Sequence, residues 1–125
     1  MENICIIGSR TIDKKSAFEK LNDFFKGCER TKPVTFFSGG CKKGVDSYVY
    51  EFSKSFTNSK FIEVPANWLK YGKSAGAIRN AELIKMVSGL KNNQVIAIWD
   101  GVSKGTENAI NLCFKYNVNL AIIRI

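Results

Sequence analysis

The chain has 125 residues, 45% hydrophobic and 24% charged, the balance of one globular domain over residues 1–125 with no room for two. It contains no histidine, which excludes Ser-His-Asp and Cys-His nucleophile pairs, an HExxH zinc site and the usual neutral-pH general base. A net charge of +8 attracts polyanions and small phosphorylated ligands alike.

Along the chain, strand and helix patterns alternate. Ile4-Cys5-Ile6-Ile7 is a continuously apolar run ending at Gly8, as expected of a strand buried on both faces of a parallel sheet. A helix is predicted from about Lys15 to Lys26, capped by Asp13 or Thr11, with Phe18, Leu21 and Phe25 on one side and Gly27 as its stop. Val34 to Phe37 reads as the second strand. The spacing of Val45, Val49, Phe52 and Phe56 then predicts a helix from about Val45 to Phe56 with one apolar stripe. Phe61 to Val64 is the third strand, closed by Pro65, and an irregular stretch leads to a helix from about Ser74 to Met86 that stops near Gly89. Val95 to Trp99, Thr106 to Tyr116 and Leu120 to Ile125 read as strand, helix and strand. The expected fold class is therefore α/β, a Rossmann-like three-layer sandwich of about five mostly parallel strands flanked by helices.

Cys5, Cys28, Cys41 and Cys113 form no CxxC pair, which suits reduced thiols. No apolar run approaches membrane-spanning length, and Met1-Glu2-Asn3 lacks the basic and apolar regions of a signal peptide, so a cytoplasmic protein without a membrane partner is expected. Neither a metal site nor a cofactor is expected.

Eight of the ten glycines fall in four segments: Gly8; Gly39, Gly40 and Gly44; Gly72 and Gly76; Gly101 and Gly105. Each segment follows a predicted strand, and in a doubly wound sheet the C-terminal strand ends share one edge where ligands bind. Glycine lets backbone N–H groups approach a ligand, although βα loops also use it simply to turn.

The same loops carry polar groups. Gly8-Ser9-Arg10-Thr11 offers a guanidinium that can clamp phosphate. The run from Ser38 through Gly39, Gly40 and Gly44 to Asp46 has the GxxxxG spacing of a phosphate loop, but Val45-Asp46 stands where Lys-Ser/Thr would be needed, which argues against a Walker NTPase. Asp46 can accept from a ribose hydroxyl or merely offset a helix dipole. Lys42 and Lys43 are either phosphate contacts or solvated surface. Trp68 can stack on a base or cover the core edge, while Lys73, Arg79 and Asn80 can reach the same crevice. Asp100, Gly101, Gly105 and Thr106 bring backbone donors and a hydroxyl to the start of the last helix, where Thr106 is also a plausible N-cap.

Taken in order, Gly8-Ser9-Arg10-Thr11, Ser38-Gly39-Gly40 with Gly44-Val45-Asp46, Pro65-Ala66-Asn67-Trp68 with Tyr71-Gly72-Lys73, Ala75-Gly76 with Ile78-Arg79-Asn80, and Trp99-Asp100-Gly101 with Lys104-Gly105-Thr106 resemble the YspA, cpYpsA-related branch of the SLOG superfamily. That superfamily also holds the DprA and lonely-guy (LOG) proteins, and the resemblance spans nearly the whole chain. It implies a Rossmann-like fold that binds nucleotides or nucleotide-derived molecules, including ADP-ribose-type or cyclic signals. LOG-type relatives cleave the N-glycosidic bond of a nucleoside monophosphate with an Arg and the Glu of a PGGxGTxxE loop. Here Gly105-Thr106 matches the GT, but Ala109 stands at the Glu position.

The sequence thus favours a protein that senses or sequesters a nucleotide-derived ligand. Its expected contacts are Gly8, Ser9, Arg10, Ser38, Gly39, Gly40, Gly44, Asp46, Trp68, Lys73, Arg79, Asn80, Asp100, Gly101, Gly105 and Thr106. The alternatives are a nucleotide hydrolase using Asp46, Glu82, Asp100 or Glu107 as base, and a DprA-like binder of single-stranded nucleic acid, a partner class the sequence favours less. The apolar strand Leu120 to Ile125 leaves a homodimer open.

Overall fold

The computed structural model describes residues 2–125. The chain runs through β1 (Asn3–Gly8), α1 (Lys14–Phe24), β2 (Val34–Ser38), a 3-10 turn over Val45–Tyr48 leading into α2 (Val49–Ser53), and β3 (Ser59–Glu63). It continues through α3 (Trp68–Tyr71), a second 3-10 turn over Gly72–Ser74, α4 (Ala75–Ser88), β4 (Asn93–Trp99), α5 (Lys104–Lys115) and β5 (Leu120–Arg124). All neighbouring strands are parallel, in the order β3-β2-β1-β4-β5, so the predicted α/β three-layer sandwich is the fold observed.

The apolar run of β1 explains its central place, because its residues serve two separate cores. Ile4 and Ile6 face one layer, where they meet Leu21 and Phe25 from the α1 region and Val49 and Phe52 of α2. Cys5 and Ile7 face the other, against Leu83, Ile84 and Val87 of α4 and Ala109, Ile110 and Cys113 of α5. The first core is aromatic, with Phe36 and Phe56 edge to face at 5.0 Å and Phe25 and Phe56 at 5.3 Å.

Element boundaries depart from the sequence pattern for local reasons. Asp13 does cap α1, accepting from the Ser16 N–H at 3.3 Å and the Ser16 hydroxyl at 2.7 Å. The predicted helix from Val45 to Phe56 is instead a 3-10 turn followed by five α-helical residues, though all four residues of its stripe are buried. The Ser47, Ser53 and Ser55 hydroxyls each donate to the carbonyl three residues back, a local competition that favours tight turns over a long helix. The stretch after Pro65 contains the short α3, which the pattern did not predict. Gly76 stands inside α4, within the helix predicted from about Ser74. Among the described residues no helix is long and apolar enough to cross a membrane.

One feature of this topology positions the site. The β1-to-β2 and β2-to-β3 connections lie on one face of the sheet, whereas α4 and α5 lie on the other. Strand order therefore reverses between β1 and β4, whose chains leave towards opposite faces and open a crevice beyond their C-terminal ends.

Candidate functional site

A cavity of about 560 Å³ occupies that crevice. Its floor begins at Ser9, which is buried and ties neighbouring loops together. Ser9 Oγ accepts from the Asp100 N–H at 3.1 Å and lies 3.5 Å from Thr106 Oγ1, while its carbonyl accepts from the Val45 N–H at 3.3 Å. Gly44 makes the close approach of the second loop possible. Its φ is +69°, and a Cβ there would overlap the backbone of Ser9 and Arg10.

Arg79 of α4 spans the crevice. Its Nη1 donates to the Gly39 carbonyl, and its Nε donates to Asn80 Oδ1 at 2.9 Å. Asn80 Nδ2 in turn donates to the Gly105 carbonyl at 3.2 Å, so α4, the end of β2 and the start of α5 are linked in one chain of hydrogen bonds. Gly39 is where this linkage is tightest, since a Cβ there would lie 2.7 Å from Arg79 Nη1 and 2.9 Å from Asp46 Oδ2.

Asp46 is partly buried in the cavity wall. Burial pushes its carboxyl up to about 6, against the opposing pull of Arg79, of backbone N–H groups at Cys41 and Gly8, and of Arg10. It does not form a contact ion pair: among the described residues the pairs within 4.0 Å are Lys14–Glu51 and Lys32–Glu29. Arg10 and Arg79 therefore face the cavity without a carboxylate in contact.

The N-terminus of α5 supplies the remaining wall through Lys104, Gly105, Thr106 and Asn108. Ser103 sits at the N-cap but provides no side-chain cap, because its hydroxyl donates to Asp100 Oδ2 at 2.7 Å. The first-turn N–H groups and the positive end of the helix dipole are thereby presented to the cavity, an arrangement suited to an anion. Asp100 fixes this turn by also accepting from Thr11 Oγ1 at 2.7 Å and from the N–H groups of Val102 and Ser103 at 2.9 and 2.8 Å. These bonds, led by the one from Thr11, hold its carboxyl well below the usual carboxylate range.

The structure thus brings Gly8, Ser9, Arg10, Gly39, Asp46, Arg79, Asn80, Gly105 and Thr106 to one cavity. Gly40 and Trp68 line an adjoining cavity of about 520 Å³, which shares Arg10 and Arg79 with the first. Ser38 is buried behind the wall, where its hydroxyl donates to the Asp46 carbonyl at 3.3 Å, and Gly44 lies beneath Arg10. Lys73, Asp100 and Gly101 line neither cavity: Lys73 is exposed in the turn before α4, Asp100 braces a loop, and Gly101 abuts the Arg124 guanidinium. Thr106 is not the N-cap of α5 but its third residue, because Ser103 takes that position.

Sequence reasoning passed over Cys41, Lys104 and Asn108 as lining residues. The last two stand four apart at the start of α5, a spacing that places them on one side of a helix once its true beginning is known. Comparison of the chain with protein-family models, curated proteins and solved structures yields no match.

Proposed function

We propose that the crevice binds the phosphate and ribose of a nucleotide or nucleotide-derived ligand, as the resemblance to the SLOG superfamily implies. The observation that carries this reading is the meeting of the uncapped α5 N-terminus with Arg10 and Arg79, both free of a contacting carboxylate, around one cavity. Its volume of about 560 Å³ lies within the range of roughly 300–1,000 Å³ usual for small-molecule sites. Arg79 already spends Nε and Nη1 on Asn80 and Gly39, which orients the guanidinium and leaves Nη2 for a phosphate oxygen.

Calorimetric titration with adenosine 5′-monophosphate tests the reading. Arg79→Ala and Arg10→Ala should each weaken binding about tenfold or more, as expected for loss of a charge-assisted hydrogen bond; the melting temperature should move by only a few degrees in exposed Arg10→Ala and by more in Arg79→Ala, which leaves the Gly39 carbonyl and Asn80 without their partner. Unchanged affinity in both variants would place any nucleotide site elsewhere.

Hydrolysis of the bound nucleotide is a second reading, favoured by one observation. Of Asp46, Glu82, Asp100 and Glu107, only Asp46 lines the cavity, and a carboxyl held near 6 is suited to proton transfer at neutral pH. Against LOG-type chemistry, the Ala109 methyl lines the wall at the position of that family's Glu. Chromatography of nucleotides incubated with the protein decides between the two: turnover abolished by Asp46→Asn supports hydrolysis, and recovery of intact ligand supports binding alone.

A further inference from the structure

Beside the first cavity lies the second, and its lining differs. Lys42, Lys43 and Trp68 line it, together with Pro65 and Ala66, while Arg10, Cys41 and Arg79 line both cavities, which therefore adjoin. Trp68 is 53% exposed, an unusual state for so large an apolar ring. It is nevertheless held in position. Asn67 caps the start of α3 by accepting from the Lys70 N–H at 3.1 Å, and the far edge of the indole lies 3.5 Å from where a Cβ of Gly76 would stand. A positioned, half-exposed indole beside two lysines and two arginines offers a face for a flat ring and charge for phosphate.

Each cavity by itself reaches the size of a small-molecule site, at about 560 and 520 Å³. A mononucleotide anchored at the α5 N-terminus would leave the second cavity unfilled. Resting on the nucleotide-binding reading above, we infer that the ligand has two parts: two nucleosides joined through a diphosphate. The bridge lies between Arg10 and Arg79, and the second base stacks on Trp68. The two arginines then match the two negative charges of the bridge, and Lys42 and Lys43, which line the second cavity, add to the attraction for the anion.

Calorimetric titrations of the full chain with adenosine 5′-monophosphate and with diadenosine diphosphate test this inference. The dinucleotide should bind at least tenfold more tightly, the order of one base-aromatic stack. Trp68→Ala should abolish that advantage while leaving monophosphate affinity within about twofold, and Lys42→Ala with Lys43→Ala should reduce it. Trp68 belongs to neither hydrophobic core, so its replacement leaves the fold intact. Equal affinity for the two compounds, or an advantage that survives Trp68→Ala, would overturn the two-part ligand and leave the nucleotide-binding reading standing. Binding of neither compound would overturn both. Tighter, steeply salt-dependent binding of a single-stranded oligonucleotide would replace the dinucleotide with a nucleic-acid strand.

Discussion

The β4–α5 loop and the segment between β3 and α4 border the same group of cavities, yet they satisfy their side chains in opposite ways. In the first, Asp100 accepts four hydrogen bonds from Thr11, Val102 and Ser103, and Trp99 Nε1 donates to the Ser103 carbonyl at 3.1 Å. In the second, α3 buries none of its residues: Leu69 is fully exposed and Trp68 half so. Groups fixed before a ligand arrives lose little entropy when it binds, so under the proposed nucleotide-binding reading the tied loop would hold the anionic part. Under the same reading the open segment would discriminate among the groups attached to it. Breaking the tied side should cost stability, whereas editing the open side should change only recognition.

The largest effect is expected at Gly44. Gly44→Ala must accommodate a left-handed backbone and a Cβ that overlaps Ser9 and Arg10, so urea unfolding should show a loss of about 3 kcal/mol or more. A loss below about 1 kcal/mol would mean that the first two loops are not in close contact.

An intermediate effect is expected at Asp46. Its carboxyl titrates near 6 in the fold against an ordinary value of 3.8, so the native state binds the proton more tightly than the unfolded chain does. The stabilisation this gives is complete below about pH 3.8 and is lost as pH rises through 6. Unfolding free energy should therefore fall between pH 4 and pH 7 by on the order of 2 kcal/mol more in the parent than in Asp46→Asn. Parallel pH profiles for the two proteins would show that Asp46 is solvated.

The smallest effect is expected on α3. Leu69→Ser removes an apolar side chain that touches neither core, and should leave the melting temperature within about 2 °C. A drop of several degrees would show that α3 is packed, and the contrast between the two sides would disappear.

Much of this architecture was legible in the sequence because hydrophobic period and glycine position carry it. The run Ile4 to Ile7 marked a strand buried on both faces, and the stripe of Val45, Val49, Phe52 and Phe56 marked the buried side of its segment. The convergence of Arg10, Gly39, Arg79 and Thr106 followed from placing each loop after a strand. Periodicity could not tell a helix from the tight turns that back-bonding serines impose at Ser47, Ser53 and Ser55. Nor does a one-dimensional pattern distinguish a loop residue that lines a cavity from one that braces it. Asp100 and Ser38 have the composition of ligand contacts, yet Asp100 is occupied by Thr11, Val102 and Ser103, and Ser38 bonds the Asp46 carbonyl behind the wall. Strand order likewise depends on pairing, and only that order places the crevice between β1 and β4.

The most direct measurement of the central claim is an amide chemical-shift titration of isotope-labelled protein with adenosine 5′-monophosphate. Saturable changes are expected to cluster at Arg10, Gly39, Arg79 and the α5 first turn from Lys104 to Thr106, with the outer strands β3 and β5 unmoved. A saturable response centred on β3 or β5, or no response at millimolar ligand, would contradict it.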